Sequence, residues 1–506
     1  MRKVISLLLF LICVHLNAQP AISWGELQSN NNHAGSDYIG VSTESEQCIY
    51  LIKTDNIDRE KENWYMEAIS KQDKKIIFSK TLLTPNSPDK APIKWSALTV
   101  IGKKLYLLSS HYAGDGTFNV YATSLNPLTG DAEEIKVIYT VINRSNDTPY
   151  FTYALSPDKS KLLICPVPFD PTYNSVKIVN EDLQSVWEGL LTIPVQDTPW
   201  YYYTPIMDNN NNMAFYRVEY ENEMPAGSKL ILYSPSSDKG KILHVDVPSA
   251  YIAYSEKLKI YENDKLYFAG LLLDKNNIAV TAGIITAFVD LERQEYMNAE
   301  FTIFDKEQIA ELRGEGTFWE YFFPGPYFIK DVFFRPNGTI GLLAEQKYAD
   351  RSYFMRGGPS RYMIGYSATF LQQGSNFVFA VNLSLRGYVN WLKIIPKYQT
   401  YEVKEYLSYV SAYDDKNVYL VFNDNFKNVD NIGKQSPKCM ENPHEAVIVS
   451  VSIDDYGTVK KQKLYSADDD MYLPLKPLLC AKPKSNTLLL FTEKSNALRL
   501  GEVILK

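Results

Sequence analysis

Along most of this chain apolar and polar residues alternate with a period of two, in short runs rich in Leu, Tyr, Phe and Ile, and little of it carries a helical period. One arrangement recurs: a turn, then an apolar strand. Eight such strands align, beginning near Gln47 (QCIYLIK), Lys104 (KLYLLSS), Lys161 (KLLICPV), Asn212 (NMAFYRVEY), Lys265 (KLYFAGL), Thr339 (TIGLLAEQ), Asn417 (NVYLVFND) and Thr487 (TLLLFTEK). The turns before them are SEQ, IGK, SPDKS, DNNN, END, PNG, DDK and PKSN, which is hairpin chemistry and not helix capping. Successive strands start about 51 to about 78 residues apart, room for four strands and their loops. Radial repetition of such units is a β-propeller. The expected fold is therefore all-β, a single propeller of eight four-stranded blades, or seven if the fifth unit, whose third strand is unusually long, divides differently.

The remaining strands of each unit are also visible. In the second, KWSALTVI, KLYLLSS, TFNVYATSL and EEIKVIYTV form strands A to D; in the third, YFTYALS, KLLICPV, SVKIVN and SVWEGLLTI do. The last unit offers only MYLPLKPLLC, TLLLFTEK and ALRLGEVIL. Its missing outer strand is expected from residues 21–28 (AISWGELQ), pairing near Trp24 with the C-terminal segment and leaving no free sheet edge.

Composition narrows the class. The chain has 506 residues, 45% of them hydrophobic and 13% aromatic, so it can bury a large core. Arg2 and Lys3, the apolar run 4–14 and the Leu16-Asn17-Ala18 site have the form of a secretory signal, which predicts a signal peptide at 1–18 and the propeller domain at 19–506. Cys13 follows Leu11 and Ile12, which does not suit lipid attachment. Processing leaves 50 basic and 59 acidic side chains, a net charge of −9 that disfavours nucleic acid as partner. No later run reaches the roughly 20 apolar residues of a membrane span, so no insertion is expected. The expected location is the periplasm or the extracellular space, and the expected state is a monomer. Cys48, Cys165, Cys439 and Cys480 remain, far below the density of a disulfide scaffold. The first two and Cys480 lie in strand-like runs and should be buried thiols; Cys439 lies in a loop.

The units resemble those of exported bacterial β-propellers, and FIKDVFFRPNGTIGLLAEQKY and YLVFNDNFKNVDN in particular resemble stretches of secreted Gram-negative proteins with no assigned activity. The resemblance implies architecture only. WD, kelch and Asp-box motifs are not regular enough here to carry catalytic residues over, and fold alone does not give function.

Topology says where the loops go. B-to-C and D-to-A connections emerge on one face of a propeller, and the long ones here are 348–375, 426–445 and 305–326, on adjacent blades. The first holds Arg351, Tyr353, Arg356, Arg361 and Tyr362; the last holds a helical pattern, DKEQIAELR, and then Trp319. Three arginines in eleven residues reverse the sign of an acidic protein locally. Arg forks and aromatic faces suit an anionic glycan, a carboxylate-bearing ligand or an acidic protein surface. The plain alternative is aromatic packing of the loops and solvated arginines. A second aromatic set, Tyr38, Trp95, Tyr150, Trp200, Tyr327, Tyr406 and Tyr472, opens strand A in successive units, where wedging between blades is the commoner use than stacking on sugars.

Catalytic chemistry is weakly signalled. His111 and His444 fall in expected B-to-C loops beside Asp115 and Glu445, but three blades apart. Ser156 and Ser87 match a serine–lysine spacing that needs a helix, whereas Ser156 opens a hairpin. Asp208, Asn210, Asn212 and Glu219 mimic a calcium loop with Met213 where Gly is required, so a turn is expected. No catalytic residue, metal ligand or cofactor is assigned. The reading favoured is a non-catalytic envelope protein that binds a glycan, peptide or protein through Arg351, Tyr353, Arg356, Arg361, Tyr362, Trp319, Trp200, His111 and His444; the alternative is a hydrolase or lyase with its site at the channel mouth.

Overall fold

The computed structural model describes residues 22–29, 37–54, 64–82, 93–114, 117–142, 150–167, 175–190, 203–221, 224–236, 240–262, 264–313, 327–349, 373–430, 437–466, 469, 471–495 and 497–505. Within these residues the chain forms eight antiparallel sheets, seven of them built from four consecutive strands in the order A-B-C-D. The chain is an eight-bladed β-propeller. Blades one to seven span 37–81, 93–142, 150–190, 203–244, 251–303, 327–401 and 410–466; blade eight takes its strands A to C from 481–504 and its outer strand from 22–29. The fifth unit is one blade, and its long third strand runs unbroken as Asn277–Asp290.

The inner B strands begin at Cys48, Lys104, Lys161, Met213, Lys265, Thr339, Asn417 and Thr487, within one residue of the sequence expectation throughout. They are apolar on both faces because each is sandwiched between neighbouring blades. Tyr267, Ile340 and Phe379 share one cluster across blades five and six, while Leu343, Leu420 and Val449 share another across six and seven. Burial at both faces, not alternation, is what a stacked blade demands.

Closure follows the expected course. Ile22, Ser23 and Trp24 pair with Val503, Glu502 and Gly501, and Gln28 and Ser29 with Leu498 and Ala497. Between the two pieces Gly25 N–H donates to Leu500 O at 2.8 Å and Arg499 Nε donates to Gly25 O at 3.0 Å. Strand A of blade eight corrects the sequence expectation: MYLPLKPLLC is not one strand. Leu475 bridges Thr492, a 3-10 helix follows at Pro477–Leu479, and the regular strand is Ala481–Lys484. Pro474 and Pro477 have no N–H to give the ladder, which breaks it there.

The expected helix is present as α1, Lys306–Arg313, closed at its start by reciprocal bonds from Gln308 N to Asp305 Oδ1 (2.7 Å) and from Asp305 N to Gln308 Oε1 (2.9 Å). Ile309 packs it onto the core between blades five and six. No helix among the described residues is long and apolar enough to cross a membrane. The predicted signal at 1–18 lies outside the described residues.

Candidate functional site

The strand directions put three long connections on one face. One leaves strand B of blade six (Thr339–Ala349) for strand C (Gln373–Ser384); one leaves strand B of blade seven (Asn417–Asp424) for strand C (Val447–Asp454); the third carries α1 from blade five to strand A of blade six (Tyr327–Phe334). The described part of the second is a built structure. Asn428, buried, donates from Nδ2 to Asp424 Oδ1 (2.7 Å) and Lys438 O (2.8 Å) and accepts from Lys438 N (2.7 Å). Met440 then bridges Gln399 on the outer strand of blade six, donating to Tyr398 O at 2.8 Å and accepting from Thr400 N at 3.1 Å. A loop of one blade thus extends the sheet of its neighbour.

Beneath this face lies a series of buried ion pairs near the upper ends of the B strands in four consecutive blades. Lys53 meets Glu67 in blade one at 2.7 Å, Lys397 meets Glu345 in blade six at 2.9 Å, and Lys461 meets Asp424 in blade seven at 2.5 Å. Lys476 pairs with Glu493 in blade eight. The blade-six pair is the hub. Ser375 Oγ and Ser408 Oγ donate to the two Glu345 oxygens at 2.6 Å each; Lys397 Nζ also donates to Ser375 O (2.9 Å) and Gln399 Oε1 (3.0 Å). Gln399 Nε2 passes the chain on to Asn423 O at 2.6 Å, and Asn423 Nδ2 to Leu475 O at 2.7 Å, so polar bonds link blades six, seven and eight. Lys330 joins from strand A, donating to Ser408 Oγ at 2.6 Å and to Tyr409 O, with its ammonium 4.0 Å from the Tyr409 ring centre.

Charge balance sets the electrostatics of the hub. Burial alone would push the Glu345 carboxyl up, but the ammonium groups of Lys397, Lys330 and Lys347 reverse that and hold it down at about 2. Burial pulls Lys330 down to about 8, with Glu345 opposing the shift. Glu345 is therefore an ion-paired anion within a polar frame, not a carboxyl poised to exchange protons, and Asp424 and Glu493 are likewise ion-paired. Asn376, next to Ser375 and fully buried, has no hydrogen-bond partner for either amide atom among the described residues.

Arg351, Tyr353, Arg356, Arg361, Tyr362, Trp319, Trp200, Ser87 and Asp115 lie outside the described residues. His111 lies within strand B of blade two (Lys104–Gly114), opposite Asn119, and not in a loop; it is buried, with Nε2 3.3 Å from Ser109 Oγ and its ring edge-on to Tyr121. The strand runs on past the expected end because His111 and Tyr112 continue the ladder to Phe118. His444 does lie in a loop, in the 3-10 helix Pro443–Glu445, 5.8 Å from the Tyr406 ring. Burial, then Lys494 and Lys476, depress its pKa. Glu445 turns away to accept from Asn442 Nδ2 at 2.9 Å. The two histidines keep contacts in different blades. Tyr327, Tyr406 and Tyr472 are buried wedges: Tyr327 is edge-on to Phe379, and the other two hydroxyls donate to Glu493 O and Pro443 O.

Asp208 closes a turn, accepting from Asn210 N and Asn212 N at 2.8 Å each, and Ser156 accepts from Lys161 N across its hairpin at 3.0 Å. Among the described residues no group of three His, Cys, Asp or Glu side chains converges as a metal site. Cys48 and Cys165 are buried free thiols, whereas Cys439 and Cys480 are free and partly exposed. Cys480 sits outside the regular strand, just after the 3-10 helix. The hub itself was not anticipated. Its signal was a charged residue inside each apolar run, Lys330 in FIKDVFF, Glu345 in GLLAEQ and Lys397 in IIPKYQ.

No family model matches the chain, and no curated protein matches it. Among solved structures it is similar to the WD40 domain of SCAP from fission yeast (TM-score 0.41, 9% identity, 95% of this chain and 98% of that one). It is similar also to the Dos1 propeller (0.43, 9%, 96% and 95%) and to the polysaccharide lyase Uly1 (0.41, 11%, 96% and 100%). Likenesses this loose carry no argument about activity; the propeller class rests on this chain's own strand order.

Proposed function

We propose that this propeller is an exported, non-catalytic binding protein of the cell envelope, which takes an anionic glycan, an acidic peptide or an acidic protein surface on its elaborated face. The observation that carries the reading is the stapling of the described part of the blade-seven connection onto blade six through Met440 and Gln399, which joins two neighbouring blades at that face. The basic and aromatic residues Arg351, Tyr353, Arg356, Arg361 and Tyr362 belong to the connection that springs from the same blade six. The Glu345 carboxyl below, held down by its lysines, supports binding over acid–base chemistry.

The test uses the chain from residue 19 on immobilised anionic and neutral glycans and acidic peptides. Retention on the anionic members should fall with salt, and Arg351→Ala/Arg356→Ala/Arg361→Ala should abolish it with the melt unchanged. Equal retention by the variant, or release of glycan fragments by the wild type, overturns the reading.

A further inference from the structure

The inner wall of the ring carries a second constellation, distinct from the loops above it. Lys482, on strand A of blade eight, places Nζ 3.7 Å from Asp331 Oδ2 on strand A of blade six, past blade seven, whose Ser411 Oγ donates to the same oxygen at 2.8 Å. Side chains of non-adjacent blades meet in this way only where the ring is narrowest, at the central channel. Lys259, on strand A of blade five, reaches the same stretch, with Nζ donating to Val332 O at 2.8 Å. Four blades therefore converge on Asp331 and its neighbours.

The wall is positive and open. Lys482 and Lys259 bear on the single carboxylate Asp331, an excess of one positive charge inside a chain of net charge −7. Lys330 is turned out of this set, because the strand slips register between Ile329 and Asp331 and its ammonium is spent on Ser408 and Tyr409. Lys482 and Asp331 keep 30% and 26% of their side-chain surface exposed, so water or a ligand reaches them. The ammonium of Lys482 rests 4.7 Å from the Tyr413 ring centre, and Tyr413 is stacked on Phe333, which fixes where the charge sits. Burial pulls Lys259 down, Asp331 opposes that shift, and the neighbouring cations Lys482 and Lys257 add to it.

Neighbouring ammonium groups on a partly desolvated wall are costly unless an anion joins them. We propose that the channel wall formed by Lys259, Ser411 and Lys482 binds a small dianionic oxyanion, either a dicarboxylate or a phosphate. The ammonium groups supply charge-assisted donors, and Asp331 holds Ser411 and Lys482 in position as an orienting group. This site does not depend on the loop reading above.

Titration calorimetry of the full chain at low ionic strength tests it, with inorganic phosphate and succinate as separate probes and chloride as the control. Saturable binding of one or both is expected; the responding probe assigns the anion, and no saturable binding of either overturns the proposal. Lys482→Met and Lys259→Met should each weaken binding about tenfold, the scale of one charged hydrogen bond. Asp331→Asn, which removes the competing charge but keeps an acceptor for Ser411, should tighten it. Unchanged affinity in both lysine variants, or weaker binding in Asp331→Asn with an unaltered melt, means the lysines only pack the channel.

Discussion

The ring of Trp24 lies 4.9 Å from that of Tyr465, at 48°, so the strand that completes blade eight is also pinned to the outer strand of blade seven. Arg499 also covers the indole, its guanidinium carbon 5.2 Å from the ring centre. The closing strand is held by side chains as well as by its ladder.

Gly501 is the weak point of that closure. A Cβ there would stand 2.6 Å from Ile22 Cγ2 and from Trp24 Cε3. Gly501→Ala should cost about 1–3 kcal/mol, the usual penalty of overpacking, and expose residues 22–29 to limited proteolysis. Deleting residues 19–30 should lower the melt further and promote association through the bared strand Ala497–Ile504. An unchanged melt in the deletion would mean that the ring does not rely on this strand.

The Glu345–Lys397 pair makes a second case. Lys397→Met leaves a buried carboxylate short of its nearest cation and should destabilise by about 3–5 kcal/mol in denaturant titration. Adding Glu345→Gln removes the charge left behind and should recover at least half of that loss. A double variant as unstable as the sum of the two singles would show that the pair is not coupled.

Acid should undo the same group. Because Glu345 is held below its ordinary value, its ionised form favours the folded state above about pH 4.5, and that contribution drains away as pH falls toward about 2. The stability gap between wild type and Glu345→Gln should be flat between about pH 5 and pH 6, below the range where Lys330 titrates, and close as pH falls from about 4.5 toward 2. A gap independent of pH down to 2 would place the effect elsewhere.

Asn376 offers a test of opposite sign. Both amide atoms are buried without partners among the described residues, a penalty of roughly 1–3 kcal/mol. Asn376→Leu, close in volume, should therefore raise the melt. A fall would mean that the amide has a partner in solution.

How much of this was legible follows from what each feature depends on. The eight B strands and the terminal pairing are local signals, set by hairpin turns and by one unit visibly short of a strand, and the sequence displays both. The break at Pro474 and Pro477 was hidden because MYLPLKPLLC looks apolar enough for a strand, and only the lost N–H groups spoil it. The stretch SSHYAGDG around His111 reads as a B-to-C loop, yet blade two carries its ladder through His111 and Tyr112. Glu345 and Lys397 look like residues of a solvated strand face when each strand is read alone. They are buried because the next blade stacks over them, as the Ser408–Glu345 bond across 63 residues shows, and a strand read alone displays a charge in an apolar run but not the blade that covers it.

The bond from Arg499 to Gly25 joins residues 474 positions apart, and a ribosome makes them in the least convenient order. Strands Asp37–Glu44 through Val459–Ser466 can pair with neighbours as they are synthesised, whereas residues 22–29 must wait for Ala497–Ile504, made after seven blades. The length-dependent entropy of drawing such distant ends together is roughly 5 kcal/mol, met in a single late step. Grafting 22–29 onto the C-terminal side of Leu505 would turn that step into an ordinary hairpin. The same ring would then assemble in sequence, blade after blade, with no strand left waiting.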